Sequence, residues 1–339
     1  MTDHLVLQFA NSMLRDMMPN NTGDAPVLAI AVSGGADSFA LLHLALSWCK
    51  NRPSEQQPRI IAVTVDHHLR PASTDEAQHV ATWCKHHHVE HHILDWHGPK
   101  PTSGIQNSAR IMRRTLLSEF CHARNIHYLL LGHQADDQAE TFFMRLQRGS
   151  GATGLSAMKS HVHHAQYDLH ILRPLLSLRR ADLRQYCERN KIPFLDDPSN
   201  ENTDFERVRI RQDLAAFPHL ADGITRATLR LQRAEQALLD MAQKWCTNHI
   251  QNPDAQIYWI PYDAFTDMPS EIRMRILIEI VSRITQQEMP SLRHIEDWEY
   301  HITQPHFTGM NIMGCWARPK TLNHVQGIAF QAEPVRKQI

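Results

Sequence analysis

Glycine is scarce in this 339-residue chain, 13 in all, and with 18 prolines the composition is far from collagen-like or low-complexity. Cysteine is scarcer still. The six (Cys49, Cys84, Cys121, Cys187, Cys246, Cys315) lie far apart with no CxxC pair. That spacing argues against a disulfide framework and against a zinc or iron–sulfur knuckle, and it fits reduced thiols in a cytoplasmic protein. No run approaches the roughly 20 apolar residues of a membrane helix, so no membrane association is expected. The opening MTDHLVLQFANSMLRDMM shows neither a basic leader nor a small-residue cleavage site, so no export signal is expected. An excess of either charge is also missing: 35 basic residues face 36 acidic ones. Near neutrality does not announce a nucleic-acid partner, but segregated charge could still serve one.

What is present begins with 42% hydrophobic and 21% charged residues, an ordinary globular balance. At roughly 100–200 residues per domain, the length suggests two domains. Of the 35 basic residues 27 are Arg, the better fork for phosphate and the better plate for a base. There are 24 His, with runs at His86–His88 and His91–His92. No ligand spacing accompanies those runs, so they read as solvated surface rather than a metal site.

Short apolar runs at 27–32, 60–65, 92–96 and 128–131 read as strands, and 38–48, 74–86, 105–124 and 135–148 carry helical spacing. The alternation predicts an α/β fold, a Rossmann-like parallel sheet with helices on both faces, over residues 1–222. Ligands gather at the carboxyl ends of such strands. After the turn cluster Asp197–Asn200 the pattern becomes mostly helical. Ile224, Leu231, Leu238 and Trp245 recur every seven, with Ala227, Ala234 and Met241 between, which predicts one long helix. A helix packed across a domain boundary is the favoured reading, and a homodimer seam the other. Residues 223–339 read as a smaller, mainly helical C-terminal domain ending in short strands.

The first strand runs into Ser33-Gly34-Gly35-Ala36-Asp37-Ser38 and then a helix. Glycines allow a tight turn, and N–H groups at a helix start face outward, which makes an anion cradle. It is not a Walker A loop, since GxxxxGK[ST] is absent. Asp37 would repel phosphate unless a divalent cation or a substrate ammonium intervened. A second loop, Gly132 to Thr141, sets Asp136, Asp137 and Glu140 on one helical face beside His133, a place for Mg²⁺ or an ammonium. Arginines gather at Arg110, Arg113 and Arg114, at Arg145 and Arg148, and from Arg207 to Arg233, where six Arg stand against Asp213 and Asp222. Such a gathering suits a polyanion.

These residues resemble a known family. SGGADS is similar to the PP-loop of N-type ATP pyrophosphatases. VDHHLRPASTDEA (65–77), QNSARIMRR (106–114), LGHQADDQAETFFMRLQRGSGATGL (131–155), RPLL (173–176) and DPSN followed by RVRIR (197–211) resemble the tRNA(Ile)-lysidine synthetases over essentially the whole chain. Gln134 stands where that family usually has a second His, Val208 where Asn is usual, and Arg114 where an aromatic is common. The end of the chain resembles a short form of the family.

The resemblance implies that ATP adenylates the C2 oxygen of the wobble cytidine of a CAU-anticodon tRNA(Ile), and that free L-lysine then attacks C2 and expels AMP. It implies Ser33–Ser38 for ATP, Asp37, Asp136 and Asp137 for Mg²⁺, and Asp37, His133, Asp137, Glu140 and Arg113 in catalysis. Arg145, Arg148, Arg207, Arg209 and Arg211 are expected to meet tRNA, together with the C-terminal domain. A PP-loop tRNA thiolase would need paired cysteines, and a non-catalytic RNA-binding module would have no use for the four carboxylates.

Overall fold

The computed structural model describes residues 2–17, 25–69, 72–98, 100–101, 103–196, 203–204, 206–254, 256–285 and 291–333. The turn cluster Asp197–Asn200 lies outside them, as do Arg70 and Pro71 of the 65–77 stretch. Two compact units divide the chain: Met1–Arg148 with Ala157–Thr228, and Gly149–Ser156 with Leu229–Ile339.

The first unit opens with α1 (Thr2–Asp16), β1 (Val27–Ala31), α2 (Ala36–Lys50) and β2 (Arg59–Asp66). It continues through α3 (Ala72–His86), β3 (Glu90–Asp95), α4 (Ile105–Ala123), β4 (Tyr128–Leu130) and α5 (Ala135–Gln147). The short α6 (Ala152–Leu155) belongs to the second unit, after which β5 (His161–His164), β6 (Leu169–Leu172), α7 (Arg180–Arg189) and α8 (Glu206–Ala215) complete the first. The sheet order is β3-β2-β1-β4-β6-β5. All neighbours run parallel except β5, which pairs antiparallel with β6 at the sheet edge. The alternating sequence pattern held for β1 to β4, while the hairpin β5–β6 is additional.

Continuous apolar character in β1 is explained by cover on both sides. Leu28 and Ile30 enter one core with Phe9, Phe39 and Tyr186, and Ala29 and Ala31 enter another with Leu117 and Phe120. Successive strand residues point to opposite faces, so a doubly covered strand has no position for a polar side chain. Full burial of Leu28 or Ile30 contributes about 1.5–3 kcal/mol each.

The helix α9 (Pro218–His249) supplies its first turns to the first unit and the rest to the second. The heptad row Ile224, Leu231, Leu238, Trp245 does face inward or partly inward. Its companion row is Ala221, Thr228, Glu235 and Ala242, all buried, whereas Ala234 and Met241 are exposed. Ile224 of that row packs in the core around Ile210, and Leu238 and Trp245 pack in the core around Ile276. In the second unit follow β7 (Gln251–Asp254), β8 (Ile257–Pro261), α10 (Tyr262–Thr266), α11 (Ser270–Thr285) and α12 (Leu292–Ile302). Strands β9 (Met310–Ile312), β10 (Cys315–Pro319) and β11 (Gly327–Ala332) join β7 and β8 in an antiparallel sheet of order β7-β8-β11-β10-β9. Trp245, Phe265, Ile276 and Phe330 lie in its core. Among the described residues no helix is long and apolar enough to cross a membrane.

Candidate active site

The strand order reverses direction between β1 and β4, and the loops leaving those two strands meet there. A Cβ on Gly132 would lie 3.3 Å from the Asp37 backbone, so glycine is what lets the second loop close on the first. Gly34 is held at φ +89°, a conformation glycine adopts freely, and its carbonyl accepts from the Leu195 N–H at 2.9 Å. The Ser38 hydroxyl is committed inside the loop: it accepts from Ser33 N–H at 3.1 Å and donates to Gly35 O at 2.9 Å. Ser38 therefore shapes the cradle rather than reaching out of it. Gly35 caps α2 without any side-chain hydrogen bond, which leaves the first amides of that helix to an anion.

Two cavities flank this loop and share Ser33, Gly35 and Leu195. One, about 590 Å³, is walled by the ends of β1 and β2, with His67, Ile105, Gln106 and Arg113 on its far side. The other, about 470 Å³, holds Asp37, Asp137, Arg180, Arg184, Arg207 and Arg211. The expected site residues thus converge, but their roles divide.

Asp37 is the carboxylate with capacity to spare. Its Oδ1 is buried without a hydrogen-bond partner, and its Oδ2 stands 3.6 Å from Arg180 Nε. Burial pushes its pKa up from 3.8 to about 6, with Arg180 pulling down and Asp137 pushing up. The Gln134 amide is near enough to lower it somewhat, yet Gln134 Nε2 completes no hydrogen bond.

The three carboxylates of α5 are occupied. Asp136 accepts from Arg179 at 2.7 Å and from the Arg180 N–H at 2.8 Å, and it does not line the cavity. Asp137 accepts from Gln134 N–H at 3.0 Å, Arg207 at 2.7 Å and Arg180 at 3.2 Å. Glu140, 1% exposed, accepts from Arg207 at 2.5 Å and Arg211 at 2.8 Å. Burial would push Glu140 up, but Arg207 and Arg211 together hold it below the usual carboxylate range. In Asp137 burial prevails over Arg207 and the pKa is raised. Of the trio Asp37, Asp136 and Asp137 expected to hold Mg²⁺, only Asp37 keeps an unengaged oxygen. Gln134, where a second His is usual in the resembling family, caps α5: its side chain accepts from Asp136 and Asp137 N–H while Asp137 bonds back. Val208 is a buried residue of α8.

Arg207 and Arg211, expected to meet tRNA, turn inward on Asp137 and Glu140. Arg209 bonds the carbonyls of Thr203 and Asp204, Arg148 pairs with Glu206, and Arg145 donates to Ala157 O. Arg113 forms no ion pair among the described residues, and burial alone lowers its pKa. His133 has a buried Nδ1 without a partner, and burial followed by Arg173 and Arg113 brings its pKa down to about 3, so it is neutral at ordinary pH.

Two features were missed in the sequence. Arg180 touches Asp37, Asp137 and Glu140, and four acidic side chains awaiting cations were the signal for it. Arg173, the first residue of RPLL, has a buried unpartnered Nε. Burial, then Arg110 and Arg114, lower its pKa to about 10, and none of these three arginines forms an ion pair among the described residues.

A family model described as a PP-loop domain matches residues 7–218. A tRNA(Ile)-lysidine synthase of Bradyrhizobium diazoefficiens is 36% identical over 283 residues, 80% of this chain and 77% of that protein. One of Hyphomonas neptunium is 36% identical over 88% of this chain and 80% of its own, and one of Wolbachia pipientis wMel 35% over 84% and 64%. The chain thus spans about two-thirds to four-fifths of these relatives' lengths. Among solved structures, the U34-tRNA thiolase NcsA from Methanococcus maripaludis, with its 4Fe-4S cluster, is similar at TM-score 0.56 and 18% identity, over 68% of this chain and 79% of that one, a likeness of fold alone.

Proposed function

The chain belongs to the tRNA(Ile)-lysidine synthase family, and from that membership we propose how its residues carry ATP-dependent ligation of lysine to C2 of the wobble cytidine of tRNA(Ile). The observation that carries the reading is Asp37: a partly buried carboxylate whose Oδ1 is buried and unengaged, lining the arginine-rich cavity beside the Ser33–Ser38 loop.

ATP spans the two cavities in this reading. Adenine takes the slot between β1, β2 and α4, and the polyphosphate crosses the α2 amides toward Arg180, Arg184, Arg207 and Arg211. Asp137 and Glu140 act through those arginines, fixing guanidinium groups that would otherwise repel one another. Asp37 Oδ1 fits Mg²⁺, which commonly takes one or two carboxylates plus substrate phosphates. When bound, Mg²⁺ would offset the repulsion between the Asp37 carboxylate and the phosphates.

In the first step the cytidine O2 attacks the α-phosphorus and pyrophosphate leaves. In the second the lysine ε-amine attacks C2, the C2–O bond breaks, AMP departs and the nitrogen loses a proton. A free ammonium has a pKa of about 10.4, so the site must hold the cation and favour its neutral form. Asp37, raised to about 6, is a stronger base than an ordinary carboxylate and fits that task once pyrophosphate has gone. Arg113 and neutral His133 steady the adenylate and the base. A wobble cytidine reaches such a pocket only when splayed from its loop. Arg110, Arg114 and Arg173 offer phosphate sites beside His133, with Arg145 and Arg148 near the same helices and residues 223–339 taking a further share of the tRNA.

A thiolase reading is poorer. All six cysteines are buried, and none belongs to a group placed to hold a metal among the described residues. The reading places the enzyme in the cytoplasm, where tRNA, ATP and free lysine coexist. The test is incorporation of labelled lysine into tRNA(Ile) with a CAU anticodon, beside the methionine tRNA of the same anticodon. Incorporation requiring ATP and Mg²⁺, absent in Asp37→Asn while tRNA affinity is kept, is the expected result. Sulfur transfer or binding without turnover would overturn it.

A further inference from the structure

A group of imidazoles lies at the opposite edge of the sheet from the ATP loops. His170 pairs in register with Tyr128, the first residue of β4, whereas the Gly132 loop leaves from the other end of that strand. His163 stands directly across the antiparallel ladder from His170, their ring centroids 4.6 Å apart. Asp168, between the two strands, adopts φ +47°, and its Oδ1 is 3.0 Å from His163 Nε2. One ligand atom from each of His163, Asp168 and His170 lies within 4.8 Å of the others.

We propose that His163, Asp168 and His170 form a binding site for a late first-row divalent metal ion of the zinc class, which pins the β5–β6 hairpin. The donor set is two imidazoles and one carboxylate, a composition that suits zinc-class ions rather than Mg²⁺ or Ca²⁺. Metal–ligand bonds of about 2.0–2.2 Å need the three atoms somewhat closer together, a contraction within reach of small side-chain rotations on an exposed hairpin. Two further groups already hold the ligands. His161 Nε2 is 2.8 Å from His170 Nδ1, and His127 Nδ1 is 3.2 Å from Asp168 Oδ2. Outer partners of this kind orient ligating imidazoles and carboxylates in metal sites. Tyr128 stacks on His170 at 5.3 Å and fixes the plane of its ring.

The position suits a structural role. β5 has four residues and forms the edge of the sheet, with one paired neighbour. A metal joining its third residue to the returning strand ties down an edge otherwise held by a short ladder. The other group able to hold a metal among the described residues, Asp66, His68 and Asp95, has one imidazole, and its Asp66 already accepts from Thr74 and the His68 N–H.

The test uses the full chain stripped with chelator and titrated with Co²⁺, followed by visible absorption, and with Zn²⁺, followed by calorimetry. One equivalent is expected to bind, with affinity falling at least about tenfold in His163→Ala and again in His170→Ala. Zn²⁺ should raise the melting temperature of the parent chain and not that of the doubly substituted one, which separates metal loss from misfolding. Lysine incorporation by the variants should stay unchanged. No binding by the parent chain, equal binding by the double variant, or loss only in His68→Ala would each overturn the site.

Discussion

A single carboxylate decides much of the chemistry here. The folded pKa of Asp37, about 6, lies above its ordinary 3.8, so the fold disfavours the charged form. The stability this group contributes is complete below about pH 4 and is lost as pH rises through about 6. Asp37→Asn should therefore stabilise the ligand-free chain at pH 7, on the order of 2–3 kcal/mol for a shift of that size. The gain should vanish near pH 4 in chemical denaturation. Once pyrophosphate and Mg²⁺ have left, kcat/KM for lysine should fall on the acid side with a midpoint near pH 6, because the enzyme form that takes lysine must present the Asp37 anion. A midpoint near 4 would remove Asp37 from that role. Asp136, Asp137 and Glu140 show the limit of reading acids by spacing. Their positions on one helix were legible, but whether a carboxylate faces a cation from the substrate or from its own chain depends on Arg179, Arg180, Arg207 and Arg211, which arrive from more than 40 residues away.

Among the elements, α9 carries the least obvious design. Its buried row includes Glu235, 2% exposed, which meets Arg275 of α11 at 2.5 Å and accepts from Thr153 at 2.9 Å. Arg275 keeps Glu271 when Glu235 is removed, so Glu235→Ala should cost about 3 kcal/mol, the low end for a broken buried pair, whereas replacing both residues by methionine should cost far less. Urea titration of the two single variants and the double settles the coupling. The long helix was legible from its apolar heptads, yet its companion row was misplaced because Thr228 and Glu235 look like surface residues until their partners are known. β1, β2 and β4 were legible since double-sided burial leaves an unbroken apolar run, and α2 to α5 were legible from their helical spacing. β5 and β6 were not. His161, His163 and His170 carry no apolar alternation, and the hairpin holds its place through pairing with β4.

On the scale of the whole molecule, the balance of 35 basic and 36 acidic residues conceals a division between internal and outward charge. Arg179, Arg180, Arg207 and Arg211 are spent on the acids of α5, while Arg110 and Arg114 are exposed and form no ion pair among the described residues. Arg110→Ala and Arg114→Ala should each flatten the plot of log affinity for tRNA against log salt by about one phosphate contact, roughly 0.7–0.9 in slope. Arg207→Ala should leave the slope alone and lower turnover and stability instead, and the reverse pattern would exchange their roles. The cysteines bear on the molecule in a different way. Burial pushes Cys84, Cys121, Cys187 and Cys315 up to about 12 and Cys49 and Cys246 up to about 11, so none is a thiolate at neutral pH. Four belong to the first unit, and Cys246 and Cys315 to the second. The native chain should therefore be silent to alkylating reagents, and each label it acquires should record the opening of the unit that holds that cysteine. A timed pulse of reagent followed by peptide mapping would read the two opening rates separately, with the protein's own sulfur as the clock.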